Sequence, residues 1–97
     1  MHARIVRFTG VTPERVQELT QRLEEADGPP PGVDSQSIKL FYDESQGTAV
    51  VTVFFDDEQK MRDADSVFQQ MDSGDTPGTR ASVDMTEVKA EREVGDR

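Results

Sequence analysis

The sequence predicts an α+β domain in which strands and helices follow one another as β-α-β-β-α-β, and three observations carry that expectation. Two stretches place apolar residues at three- and four-residue steps, Val16-Leu19-Leu23-Ala26 and Met61-Ala64-Phe68-Met71, as amphipathic helices do. Segments that alternate or are rich in β-branched and aromatic residues flank each of them. The run Asp43-Glu44-Ser45-Gln46-Gly47 between the second and third of those segments has the chemistry of a hairpin turn.

The first strand is read in Ala3-Arg4-Ile5-Val6-Arg7-Phe8-Thr9 and stops at Gly10. Thr12 then caps a helix whose first position is Pro13, where the missing N–H costs nothing, and Glu14 suits the positive end of the helix dipole. Asp27-Gly28 ends that helix, and Pro29 to Pro31 impose an extended linker. Ser37 to Asp43 is the second strand, with Ile38, Leu40 and Tyr42 alternating against Lys39, Phe41 and Asp43. Thr48 to Phe55 is the most apolar run and is expected as a central strand. Asp56 or Asp57 caps the second helix, Ser73 to Gly78 is a loop, and Arg80 to about Val88 is the fourth strand. Two right-handed crossovers joined by a hairpin give a four-stranded antiparallel sheet with both helices on one face, the ferredoxin-like arrangement. Residues 1–90 form this single domain, and 91–97 are a C-terminal tail.

Strand parity sorts side chains between the two sheet faces. Ile38, Leu40, Tyr42, Ala49, Val51, Val53, Phe55, Ala81, Val83 and Met85 form one continuous aliphatic set, expected under the helices. The other face collects Phe41, Val50, Phe54 and Val88 among Lys39, Thr48, Thr52, Ser82, Asp84 and Thr86. Apolar patches of that kind mark covered surfaces more often than solvent faces. The expectation is a homodimer that closes two sheets against each other through Phe41, Val50, Phe54 and Val88, with a half-wet open sheet as the plainer reading. A chain of 97 residues buries only roughly 60–65% of its unfolded surface, so a partner subunit adds stability it lacks alone. Glu87 to Glu93 runs past what the sheet needs, long enough for an arm across such a dimer.

Composition removes most function classes. Twenty acidic against eleven basic side chains give a net charge of −9, which repels nucleic acid and anionic membrane surfaces. There is no Cys, so disulfides, thiolate zinc sites, iron–sulfur ligation and cysteine nucleophiles are excluded. His2 is the only histidine, which makes multi-histidine metal sites and a Ser–His–Asp triad nearly impossible within a single chain. The longest apolar stretch, Ala49 to Phe55, is far too short for a transmembrane helix, and no basic-then-apolar leader precedes the first strand, so a cytoplasmic domain is expected.

The same topology serves RNA recognition, which places a basic residue, a glycine and stacking aromatics on the third strand. Here the glycine is Gly47, but the basic position is Gln46 and the stacking positions are Thr48 and Val50. Metal transport on this fold needs a Cys-x-x-Cys pair that is missing. The acidic clusters Asp56-Asp57-Glu58, Asp63/Asp65 and Asp72/Asp75 lack the alternate-ligand spacing of a calcium loop and read as caps and a solvated helix face. No metal and no cofactor is therefore expected. Four residues remain as candidate ligand contacts: Tyr42 through its hydroxyl, His2 at the start of the first strand, and Arg4 and Arg7. Arg4 and Arg7 lie on opposite faces of one strand, so at least one pairs within the protein or reaches a ligand or partner, Asp43 and Asp84 being options for Arg7.

The opening Met-His-Ala-Arg-Ile-Val-Arg-Phe, the run Phe54-Phe55-Asp56-Asp57-Glu58-Gln59-Lys60-Met61-Arg62 and the run Ala81-Ser82-Val83-Asp84-Met85-Thr86-Glu87-Val88 resemble the small dimeric α/β-barrel proteins of the antibiotic-biosynthesis-monooxygenase-like family. The resemblance spans most of residues 2–90 and implies a homodimer with a pocket between sheet and helices in each subunit. Some relatives are cofactor-free monooxygenases of aromatic polyketides and others degrade haem. Those chemistries use Asn, Trp and His side chains; Asn and Trp do not occur in this chain, so no catalytic residue carries over. Three functions are expected in order: a non-catalytic or cryptic-function homodimer that binds a small apolar ligand between sheet and helices or merely stabilises a complex, then a cofactor-independent monooxygenase-type enzyme acting on an aromatic substrate, then a scaffold or regulatory module with no pocket ligand.

Overall fold

The computed structural model describes residues 1–26, 28, 32–70 and 76–95. Its elements run β1 (His2–Thr9), α1 (Pro13–Glu25), β2 (Ser37–Asp43), β3 (Thr48–Phe55), α2 (Glu58–Phe68) and β4 (Thr79–Glu87). The four strands form one antiparallel sheet in the order β2-β3-β1-β4, so the fold is the ferredoxin-like one. Asp27, the Pro29–Pro31 linker, Met71 of the second helical stripe, the Asp72/Asp75 cluster and part of the loop read at 73–78 lie outside the described residues.

The local chemistry read from the sequence sets the element boundaries. Thr12 accepts the backbone N–H of Arg15 at 3.2 Å, with Pro13 at the start of α1. Between Asp56 and Asp57 the cap is Asp57, whose Oδ1 accepts the Lys60 N–H at 2.9 Å. In the β2–β3 hairpin the Asp43 carboxylate accepts from the Ser45 hydroxyl at 2.6 Å and from Gln46 Nε2 at 2.8 Å, and Gly47 closes the turn at φ +65°. The Gly47 carbonyl then accepts the Val11 N–H at 2.8 Å, tying the β1–α1 connection to the hairpin.

Register fixes the faces. His2, Arg4, Val6 and Phe8 lie opposite Phe55, Val53, Val51 and Ala49, and the last three of these lie opposite Ile38, Leu40 and Tyr42 of β2. This is the helix side, as the alternation predicts. Its core has two parts: Val33, Val53, Phe55, Met61 and Ala64 under α2, and Val6, Phe8, Val11 and Ala49 towards the other end.

Two expectations for β4 need correction. A register shift between Arg7 and Phe8 leaves Ser82 opposite Arg7 and Arg80 opposite Phe8, so Ala81 is the extra residue of a bulge rather than a member of the helix-side row. Val83 and Met85 do lie on the helix side, yet each is 37% exposed, because α2 packs over β1 and β3 and the edge strand extends beyond its cover.

Candidate functional site

The two helices meet the sheet differently. α2 presses Met61, Ala64 and Asp65 into full burial. α1 carries the stripe Val16, Leu19, Leu23 but buries none of its residues, and Leu23 is 37% exposed. A helix with an apolar stripe gains its stability by burying it, so an unclosed stripe leaves unfilled space beneath. That space is a cavity of about 290 Å³, walled by Leu19, Arg22 and Leu23 of α1, by Arg4, Val6, Phe8, Ile38, Leu40, Val51 and Val53 of the sheet, and by Phe68, Thr76, Pro77 and Arg80. A second hollow of about 300 Å³ adjoins it under the end of α1 and shares Leu23, Ile38, Val53 and Phe68.

The charged group that the sheet buries in this apolar layer is Arg4, 3% exposed. Its Nε donates to Asp65 Oδ1 at 2.8 Å, and Asp65 Oδ2 in turn accepts from Gln69 Nε2 at 2.7 Å. The Arg4 guanidinium lies 4.7 Å from the centre of the Phe68 ring, a cation–π contact. Nη2 is buried without a hydrogen-bond partner among the described residues. Leaving such a donor unmet costs about 1–3 kcal/mol. Burial pulls the Arg4 pKa below the usual arginine range; Asp65 draws it back up, and the like charge of Arg80 pushes it down. Arg80 itself reaches the carbonyl of Phe68, at the end of α2, with Nη2 at 3.4 Å.

Of the four candidate contacts read from the sequence, Arg4 alone lines the cavity under α1. Tyr42 is on the same face but packs against the cluster of Val6, Phe8, Val11 and Ala49; partial burial raises its pKa, helped by Glu44 and Glu14. His2 is half-buried on the helix side opposite Phe55 and Glu87, with Nδ1 unpartnered among the described residues. Arg7 is exposed on the open face opposite Val50 and Ser82, and the pairing with Asp43 or Asp84 is not made there among the described residues. On that open face Phe41 is 53% exposed and Val50 and Phe54 are half-buried, while Val88 follows β4 with its N–H on the Met1 carbonyl at 2.9 Å.

Sequence reasoning missed Arg22, Arg80 and Asp65. The reading of Asp65 as part of a solvated helix face is overturned: it is buried and pairs with Arg4, and its place one residue after Ala64 and three before Phe68 puts it on the inward stripe of α2 as an acid among apolar positions. Arg22 borders the α1 stripe between Leu19 and Leu23. Arg80 enters only through the bulge, for which no residue pattern gives notice.

Among the described residues no three His, Asp or Glu side chains are grouped to hold a metal ion, and no helix is long and apolar enough to cross a membrane. The chain matches no family model, no curated protein and no solved structure.

Proposed function

We propose that this chain is a non-catalytic binding protein that takes a small apolar ligand into the cavity between its sheet and α1, and that it works as a homodimer joined through the open face of the sheet, in the manner of the dimeric α/β barrels it resembles. The observation that carries the binding reading is the open space of about 290 Å³ beneath an apolar helix stripe that no described residue closes. The volume sits at the small end of the range of ~300–1,000 Å³ for ligand sites. The described walls offer only Thr76 and three arginines as polar side chains, none of them an ordinary general base, which favours binding over the cofactor-independent oxygenase reading.

The dimer reading rests on Phe41, Val50 and Phe54 together on a face that neither helix covers. The isolated chain also exposes 6732 Å², against roughly 5,500 Å² for a compact monomer of 10.8 kDa. The exposed segment after β4, the loosely packed α1 and the uncovered sheet face all contribute to that excess.

Nile red, a neutral apolar dye, tests the cavity. Its fluorescence should rise and saturate at one dye per chain, and Leu40→Trp, which fills the space, should weaken binding at least tenfold with the circular dichroism unchanged. Binding that is equally strong in Leu40→Trp sinks the reading. Light scattering tests the dimer: the mass should be twice 10.8 kDa, and Phe54→Asp should halve it. A wild-type chain that stays monomeric at micromolar concentration removes the dimer.

A further inference from the structure

Resting on the cavity reading, we infer that the ligand is an amphiphile with a carboxylate head, held at Arg4 and Arg80, and an apolar body lying along Leu23, Leu40 and Val51. Three of the chain's eleven basic residues, Arg4, Arg22 and Arg80, line this one cavity, and no described lining residue is acidic. In a chain of net charge −9 that is a strong local inversion of sign. A purely apolar ligand gives no reason for it.

Arg4 is the centre of the site. A guanidinium carries five N–H donors in a planar fork. Asp65 occupies the Nε edge at 2.8 Å, and Gln69 fixes Asp65 from behind at 2.7 Å. Phe68 lies 4.7 Å from the guanidinium and restricts its movement. The fork is thereby oriented before any ligand arrives, and its Nη2 is left buried with no acceptor among the described residues. Asp65 cancels one positive charge, while Arg80 adds a second cation close enough to act on Arg4. Among the described residues, no acidic side chain of the cavity lining meets the Arg4 Nη2.

A carboxylate supplies that acceptor. It is planar and pairs with a guanidinium through parallel N–H···O bonds, and the apolar walls strengthen the pair by excluding water. The site is less suited to a phosphate. Phosphate sites draw on glycine loops and helix N-termini, and neither contributes to the described lining. Asp65 and Gln69 act here as positioning residues: they hold the Arg4 fork by its Nε, and a ligand head that reaches the buried Nη2 must move in beside it.

The test is calorimetric titration of the full chain with octanoate, octan-1-ol and octylamine, which share one tail and differ in the head. Octanoate should bind about 10- to 100-fold more tightly than octanol, the range for a charge-assisted hydrogen bond, and octylamine most weakly. Arg80→Gln should weaken octanoate about tenfold and octanol by much less, because Arg4 remains in place. Arg80 is exposed, so this variant folds where an Arg4 substitution can fail. As a check on Arg4 in the native protein, its ¹⁵Nε resonance should shift on adding octanoate and stay in place with octanol. If octanol and octanoate bind equally, the carboxylate inference is wrong while the cavity reading stands. If neither binds and Nile red does not bind either, both fall together.

Discussion

Removing the Asp65 carboxylate isolates the buried cation and should be among the most costly single changes in the protein. In the native chain Arg4 is 3% exposed and its one hydrogen bond to a described residue is the 2.8 Å contact from Nε to Asp65. Asp65→Ala leaves that guanidinium charged in apolar surroundings. Breaking a buried pair from one side costs about 3–5 kcal/mol. Water can enter the adjoining cavity, which places this site at the lower end, about 3 kcal/mol. For a chain of 97 residues this lowers Tm by roughly 12–24 °C. The reverse change, Arg4→Met, should cost less, about 1–2 kcal/mol, because the remaining carboxylate keeps Gln69 and its side chain is 13% exposed. Replacing both, Arg4→Met with Asp65→Leu, should return stability to within about 1 kcal/mol of wild type, since an apolar pair of similar volume has no desolvation cost to offset. Urea denaturation followed by far-ultraviolet circular dichroism measures all three; there is no Trp and only one Tyr to report by fluorescence. Protein concentration must be held fixed, because the proposed dimerisation would add to apparent stability by mass action. A cost below about 1 kcal/mol for Asp65→Ala, the worth of an exposed ion pair, would refute the claim that Arg4 sits in a dry wall.

Phe55 is 0% exposed, so Phe55→Ala should lose about 3–5 kcal/mol in the same urea assay, whereas Val94→Ala, 70% exposed, should stay within about 0.5 kcal/mol; similar losses for the two would contradict the core assignment. A Cβ at Gly78 would collide with the Thr9 carbonyl, while one at Gly10 meets nothing within 4 Å but sits at φ +65°. Gly10→Ala should therefore cost about 1–2 kcal/mol from backbone strain alone, and Gly78→Ala should lower Tm further; the opposite order is evidence against the packing of the β4 entry on β1. The Ser45 hydroxyl, with help from Gln46, holds the Asp43 carboxyl below its ordinary value. A depressed folded pKa means that this contribution to hairpin stability is present above the unfolded value near ~3.9 and is lost as pH falls through the folded one. Carboxyl ¹³C titration should show Asp43 titrating low and moving up in Ser45→Ala; no movement would remove the hydroxyl as the cause.

The elements were legible because local chemistry and periodicity agree at nearly every boundary. Thr12-Pro13, Asp57 and Gly47 act where their side chains or backbone freedom are needed, and alternation in β2 and β3 assigns faces correctly. Parity says which way a residue points, but not what lies above it. Val83 and Met85 show the difference: they face the helix side, and the edge strand there has no cover. The bulge was invisible for a related reason. Thr79-Arg80-Ala81-Ser82 alternates as well in either register, and only pairing with Arg7 and Phe8 selects the one in which Arg80 turns to the cavity. Arg4 was recognised as needing a partner, but Asp65 stands 61 residues away, and that pairing is a product of the tertiary fold. The residue pattern itself carried no signal for the cavity, a pocket being implied only by the resemblance, because the α1 stripe of Val16, Leu19 and Leu23 reads the same whether or not the helix closes on the sheet.

Charge separates the two surfaces on which function is proposed. The chain's excess of acid lies outside the cavity, so an approaching carboxylate meets a repulsive mean field. That field is screened over about 8 Å at physiological ionic strength, whereas the arginine pair acts at hydrogen-bond range inside apolar walls, where the effective dielectric is lower. The long-range term therefore slows entry, and the short-range term governs how long the ligand stays. Such a site discriminates by its off-rate: an apolar molecule without a head enters and leaves freely, and one with a carboxylate is retained. The open face obeys different rules. Phe41, Val50 and Phe54 lie on the side of the sheet away from the cavity, so burying them against a second copy leaves the cavity mouth untouched. Ligand uptake and self-association then draw on separate groups, and each can be lost without the other.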